Sequence, residues 1–252
     1  MLNIVVPMAG RGSRFVKAGY ELPKPLIEIH GHPMIECVTK NIAPKIEHKF
    51  IYLCLAEHLE KYDLARRLKS FSPNCEIITV DKVTEGAACT VLLARDFIDN
   101  DEPLMIANSD QYVDIDINDY LAAGAELDGL IMTMFADDNK WSFIKFNSAQ
   151  HVTMVREKEV ISNEATVGIY NFARGRDYVA CADKMIELNL RVNNEFYVAP
   201  VYNIYIEQGA KIGFYNVGKL DAGMYGLGVP DDLNKFIANP LSKKIFEDNN
   251  NV

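Results

Sequence analysis

The feature that most constrains this chain is the short apolar run Asn3–Met8, which passes at once into Ala9-Gly10-Arg11-Gly12-Ser13-Arg14-Phe15. Branched apolar residues at strand length predict a buried strand. The two glycines let the backbone turn tightly with N–H groups facing an anion, and Arg11 and Arg14 add charge. Further strand-like runs at Lys49–Leu55, Cys75–Val80 and Pro103–Asn108 are separated by helical patterns at Pro33–Ile42, Glu57–Phe71 and Gly86–Phe97. Units of this length join parallel strands by right-handed crossovers. The first half therefore predicts an α/β fold with its glycine loop past a strand's carboxyl end, where open α/β sheets bind ligands.

The rhythm changes afterwards. Leu130–Ala136, Phe143–Phe146, Val152–Arg156 and Thr166–Phe172 read as strands with little helix between them, predicting antiparallel additions to the same sheet. Helices are expected at Tyr178–Leu190 and Pro200–Gln208, then a strand at Lys211–Val217 and a closing helix from Pro230 to Ile237. Without a Pro/Gly/Ser-rich linker or a repeat, the expectation is one domain over 1–252. It would have one lobe at about 1–128, a second at about 129–240 and a polar tail at 247–252.

Composition narrows the function classes. With 35 acidic and 26 basic side chains the net charge is −9, which argues against nucleic acid as partner because phosphate neutralisation needs a basic surface. Small phosphorylated ligands remain open, since they respond to a few local cations. No apolar stretch approaches a membrane span, and the amino terminus lacks a basic n-region and cleavage site, so a cytoplasmic protein is expected. Five cysteines without CxxC spacing read as buried reduced thiols. The five histidines show no paired metal spacing, and Met105, Met132, Met134 and Met154 read as core filling. Asp114-Ile115-Asp116 imitates the DxD of glycosyltransferases but reads better as helix capping.

The glycine loop alone has several readings. Phe15 stands where a dinucleotide fingerprint needs its third glycine, and the Gly-Lys-Ser/Thr of a Walker A loop is absent. The next segments of the chain add specificity: Leu22-Pro23-Lys24-Pro25-Leu26 fixes a lysine between two prolines, and Gly31-His32-Pro33-Met34-Ile35 opens the next helix. In this order and spacing, the three submotifs resemble the signature of the sugar-phosphate nucleotidyltransferases, also called nucleoside-diphosphate-sugar pyrophosphorylases.

The resemblance implies a Rossmann-like, GT-A-like fold, a mixed and mostly parallel sheet flanked by helices. It also implies a set of roles. Met8, Ala9, Gly10, Arg11, Gly12 and Ser13 would wrap a triphosphate. Arg14 and Lys24 would neutralise the reacting phosphates, a need that arises from bringing two anions together. Thr84-Glu85-Gly86-Ala87-Ala88 is similar to the family's Gly-x-Ala segment, making Glu85, Gly86, Ala87 and Ala88 base-site candidates. Asp110, after the strand Leu104–Ala107, matches the family's metal aspartate and would hold Mg²⁺ with phosphate oxygens. Ser109 and Gln111 would be its neighbours, on the nucleotide and acceptor sides. Glu157, Lys158, Gly168 and Tyr170 resemble the family's acceptor-pocket segments.

Two departures stand out. In Tyr225-Gly226-Leu227-Gly228-Val229-Pro230, similar to the family's Asp-x-Gly-Thr-Pro, the second metal aspartate aligns with Gly226, so either Asp221 supplies that carboxylate or one metal is held by Asp110 and phosphates alone. Glu195-Phe196-Tyr197-Val198-Ala199-Pro200 lacks the Thr-Asp pair of many hexose-phosphate relatives.

The altered acceptor half is similar to cytidylyltransferases of bacterial capsule and surface-polysaccharide pathways. This implies CTP with a phosphorylated small molecule, phosphoglutamine first and phosphocholine next, and release of pyrophosphate. A uridylyl- or thymidylyltransferase acting on a sugar 1-phosphate, a DxD glycosyltransferase and a catalytically silent nucleotide sensor remain alternatives. A homodimer is a further expectation.

Overall fold

The apolar run that opens the chain forms β1 (Leu2–Met8), buried along nearly its whole length, in a computed structural model that describes residues 1–247. The tail residues 248–252, where Asp248–Asn251 were expected to fray, lie outside the described residues. After β1 come α1 (Ser13–Lys17), a 3-10 turn at Lys24–Leu26, the small hairpin β2 (Glu28–Ile29) and β3 (His32–Pro33), and α2 (Met34–Ile42). Next are β4 (His48–Leu55), α3 (Ala56–Tyr62), α4 (Leu64–Phe71), β5 (Glu76–Val80), α5 (Ala87–Leu92) and α6 (Arg95–Ile98). The first half closes with β6 (Leu104–Ala107), β7 (Gln111–Val113) and α7 (Ile117–Ala123). The second contains β8 (Gly129–Phe135), β9 (Ser142–Phe146), β10 (Val152–Glu157), β11 (Glu164–Phe172), α8 (Gly175–Glu187) and α9 (Val201–Glu207). It ends with β12 (Ile212–Leu220), β13 (Gly223–Gly226), α10 (Pro230–Ala238) and α11 (Leu241–Glu247).

One mixed, mostly parallel sheet runs in the order β5-β4-β1-β6-β11-β8-β12-β13-β7. β5, β4, β1 and β6 are parallel. β11 then enters antiparallel between β6 and β8, and the β9–β10 hairpin joins its side. Helices cover both faces. Ile4, Val6 and Met8 face a core shared with Met34, Ile35 and Val38 of α2, while Val5, Ile51 and Leu53 face Val91, Met185 and Tyr202. Burial on both sides explains why β1 and β4 are continuously apolar rather than alternating. On the second face Phe172 stacks on Tyr202 with centroids 4.5 Å apart. The Tyr202 hydroxyl donates to the Asn171 carbonyl at 2.7 Å, which removes the cost of burying it.

Several expected elements differ in detail. The helix predicted over Glu57–Phe71 is two, because Asp63 takes φ 51 between α3 and α4. The one predicted over Gly86–Phe97 is likewise divided between α5 and α6. Pro33 lies in extended backbone just ahead of α2 rather than within its first turn. β7, at three residues, and the glycine-bounded β13 are too short to leave a periodic signal.

The thiols of Cys37, Cys54, Cys75 and Cys181 are buried, Cys89 is half-buried, and none is paired. Of the methionines expected in the core, Met105, Met132 and Met134 are fully buried and Met154 is half-buried. Asp116 caps α7: its carboxylate accepts from the Asn118 backbone N–H at 2.9 Å. Asp116→Ala should therefore lower unfolding stability by about 1 kcal/mol, seen as a lower urea midpoint at unchanged m.

Candidate active site

The crossover order brings the loops after β1 and β6 to the same edge of the sheet, because these strands are parallel neighbours. Gly12 adopts φ 60 at the start of α1, a left-handed conformation that glycine takes without strain. A Cβ there would lie 3.1 Å from the Cβ of Lys24, so the glycine loop and the Pro-Lys-Pro segment pack directly together. Pro23 holds φ at −63 and Pro25 is buried, which fixes the base of the Lys24 side chain. Its ammonium reaches Asp110 Oδ2 at 2.8 Å. Asp110 is held from behind by the Leu227 N–H, which donates to its carbonyl at 2.8 Å.

Lys24 borders the first of two neighbouring clefts, and Asp110 itself borders neither. The first, about 230 Å³, is bordered by Met8, Ala9 and Gly10, by Lys24, and by Gly86, Ala87 and Ser109. The second, about 220 Å³, is bordered by Asn108, Gly168 and Tyr170, by Glu157 and Ser142, and by Trp141 and Tyr197. Ala87 belongs to both, and the adjacent residues Asn108 and Ser109 divide between them. The clefts are thus neighbours, separated by the segment that leads into Asp110.

Glu157 ends β10 and accepts a hydrogen bond from the Ser142 hydroxyl. Burial pushes its carboxyl above the usual range, and the Ser142 hydroxyl and Lys158 oppose that shift. Lys158 stands at the rim, donating to the Tyr197 hydroxyl at 2.7 Å with its Nζ 4.9 Å above that ring. That hydrogen bond raises its pKa. Tyr170 is buried, and its hydroxyl pairs with Thr166 at 2.9 Å.

Other residues selected from the sequence are placed differently. Arg11, Gly12, Ser13 and Arg14 do not border the first cleft. Arg11 borders a separate groove with Tyr20, Glu57 and His58, and Arg14 lies exposed on α1. Ala88 is fully buried, and its N–H is taken by the Phe196 carbonyl at 3.0 Å. Glu85 is engaged in an ion pair with Arg191. Gln111 is buried, and its side-chain NH₂ has no partner.

The structure does not bring Asp221 to Asp110. Asp221 occupies the turn between β12 and β13, at the Gly223 end of β13, with its N–H on the Met224 carbonyl. Asp110 adjoins the other end, where Gly226 pairs with Gln111. A Cβ on Gly228 would lie 2.6 Å from Asp110 Oδ2, so this strip leaves room for the Asp110 carboxylate. Residues that sequence reasoning did not select include Val83, Thr84, Thr90 and Glu195 in the first cleft and Trp141, Ser142 and Tyr197 in the second. Glu195 and Tyr197 lie in a segment noted only for its departure from pattern, and Thr84 opens the segment similar to Gly-x-Ala without being selected from it; the others carry no local signal.

The sequence profile described as nucleotidyl transferase matches residues 4–192. The chain belongs to the nucleotidyl transferase family. A nucleoside-diphosphate-sugar pyrophosphorylase of Vibrio cholerae is similar in structure, with a TM-score of 0.80 and 27% identity, covering 94% of this chain and 100% of that one. The fold also matches an inositol-1-phosphate CTP transferase from T. maritima, with a TM-score of 0.76 and 16% identity over 97% of this chain and 96% of that one. Among curated relatives, the bifunctional protein GlmU of Methanococcus aeolicus is 26% identical over 176 residues, 68% of this chain. This nucleotidyl transferase spans 40% of that relative's length.

Because the Ser142 hydroxyl favours the charged form of Glu157, Ser142→Ala should raise the Glu157 pKa further. If ionised Glu157 binds the second substrate, the acid limb of kcat/KM for that substrate lies above the ordinary carboxylate range. In Ser142→Ala it moves to still higher pH. A limb unmoved by the substitution would remove Glu157 from that role.

Proposed function

We propose that the chain catalyses Mg²⁺-dependent transfer of a nucleoside monophosphate from an NTP to a phosphorylated small molecule, with release of pyrophosphate. The observation that carries this reading is the 2.8 Å contact of Asp110 with Lys24, which borders the first of two adjoining clefts. An acceptor phosphate oxygen attacks the α-phosphorus in line, the bond to the β-phosphate oxygen breaks, and pyrophosphate leaves. Both reactants are anionic, so their approach needs cations. Lys24 stands at the point of contact, and Arg14, exposed on α1, supplies a second positive charge.

Among the described residues no cluster of three or more His, Cys, Asp or Glu side chains could hold a metal. Mg²⁺ favours one or two carboxylates with phosphate oxygens, so Asp110 fits an ion that arrives with the nucleotide. When bound, that ion supplies charge neutralisation between the two phosphates. In this reading the first cleft takes the nucleotide, and the second takes the acceptor through Glu157, Lys158, Gly168 and Tyr170.

For the substrates we propose CTP and phosphoglutamine. The second cleft combines Lys140 with Glu157 and has Lys158 at its rim, a set suited to a phosphate and an amino group on one molecule. Uridylyl or thymidylyl transfer to a sugar 1-phosphate is the second reading, favoured by the sugar-nucleotide activity for which the Vibrio cholerae relative is named. A DxD glycosyltransferase is disfavoured because Asp116 is engaged in capping α7.

The test is pyrophosphate release with Mg²⁺, crossing each NTP against phosphoglutamine, phosphocholine and sugar 1-phosphates. Release only with CTP and phosphoglutamine is expected, whereas release with UTP or dTTP and a sugar 1-phosphate selects the second reading. Lys24→Ala and Asp110→Ala should each lower kcat at least about 100-fold while changing stability by no more than about 1 kcal/mol. Rates near wild type in either variant would overturn the site assignment.

A further inference from the structure

Glu195 is the one carboxylate, and Lys24 the one cation, among the residues that border the first cleft. A fixed negative charge in a cleft that receives a polyanion opposes binding unless it meets a hydrogen-bond donor on the ligand. An NTP offers two kinds of donor, the ribose hydroxyls and the amino or imino groups of its base. The position of Glu195 separates them. Glu195 borders the first cleft and Tyr197, two residues further along the chain, borders the second, so Glu195 sits toward the junction of the two clefts. The α-phosphate must stand at that junction to meet the acceptor, and the ribose is the next group along the nucleotide. The base lies one group farther away. We infer that Glu195 accepts hydrogen bonds from the ribose hydroxyls and makes the enzyme selective for ribonucleotides. The inference rests on the reading of the first cleft as the nucleotide site.

The backbone around Glu195 is built to hold it in place. Val192 and Glu195 exchange backbone hydrogen bonds at 3.0 and 2.9 Å. Between them Asn193 and Asn194 take φ 49 and 64, both in the left-handed region as a tight type I′ hairpin turn requires. Arg191 pairs with Glu85 and lies 4.3 Å from the centroid of the Phe196 ring. The Phe196 N–H donates to the Glu85 carbonyl at 2.8 Å, and its own carbonyl accepts from Ala88. Gly86, at φ 136, allows this seat, since a Cβ there would come within 2.4 Å of the Phe196 oxygen. None of these contacts uses the Glu195 carboxylate, whose oxygens remain to accept a diol.

The experiment is calorimetric titration of the full chain with Mg²⁺ and CTP, 2′,3′-dideoxy-CTP, UTP and 2′,3′-dideoxy-UTP, repeated on Glu195→Ala and Glu195→Gln. The wild type should bind the ribose form about tenfold more tightly than its dideoxy analogue, the scale of a hydrogen bond to a charged group. Glu195→Ala should bring that ratio close to one, by removing the hydrogen bonds to the ribose form and the repulsion of the dideoxy form, at an unchanged melting temperature. Glu195→Gln, which keeps an acceptor, should retain part of the ratio. A wild-type ratio near one, or a ratio that Glu195→Ala leaves intact, would overturn the inference. So would a variant that loses acceptor affinity while keeping the nucleotide ratio. Absence of NTP binding by the wild type is a separate failure, which removes the nucleotide-site reading and this inference together.

Discussion

The contact between Lys24 and Asp110 joins side chains 86 positions apart, and much of the architecture can be read as what that contact requires. β1 and β6 must be parallel neighbours so that the loops after them emerge at one edge. The lysine must leave the backbone at a fixed angle, which its two flanking prolines supply. The aspartate must be held without filling its front, which the Leu227 N–H and the bare Cα of Gly228 together achieve. With a net charge of −9 over the whole chain, the attraction of an anion to this edge depends on a few local cations and oriented backbone rather than on the overall field.

The parts of the site that are legible in the sequence are contiguous. Met8–Gly10, Pro23–Pro25 and Asn108–Asp110 are short strings in which residue type and spacing mark the site, whatever the sheet does around them. The residues that escape such a reading come from elements distant in sequence. Thr90, Trp141 and Glu195 border the clefts only because α5, the turn ahead of β9 and the loop after α8 converge there, and no local motif selects them as site residues. Whole segments also bring in bystanders. Ala88 serves packing and Glu85 serves an ion pair, although both stand beside Gly86 and Ala87, which border the cleft. Asp221 is attractive by count along the chain, and the register of β13 on β7 moves it to the wrong end.

For the fold, the long apolar strands and the helices with strong apolar faces are readable, since burial on two faces or one leaves a clear pattern. The breaks are not. Asp63 divides a continuous helical pattern by adopting a left-handed conformation, a backbone choice that side-chain periodicity cannot reveal. β7 pairs only with β13, more than a hundred residues away, and β13 with β7 and β12, so the existence of β7 depends on a distant partner.

β11 has a consequence for motion. It pairs with β6 along one edge and with β8 along the other, and it carries Gly168 and Tyr170 into the second cleft. The floor of that cleft is therefore welded to the strand that leads into Asp110 by a continuous hydrogen-bond ladder. A hinge between the two halves of the chain would have to tear that ladder. The span between the clefts thus behaves as a ruler cut to a fixed length, and adaptation to ligands of different size falls to the segments that overhang the clefts from outside the sheet.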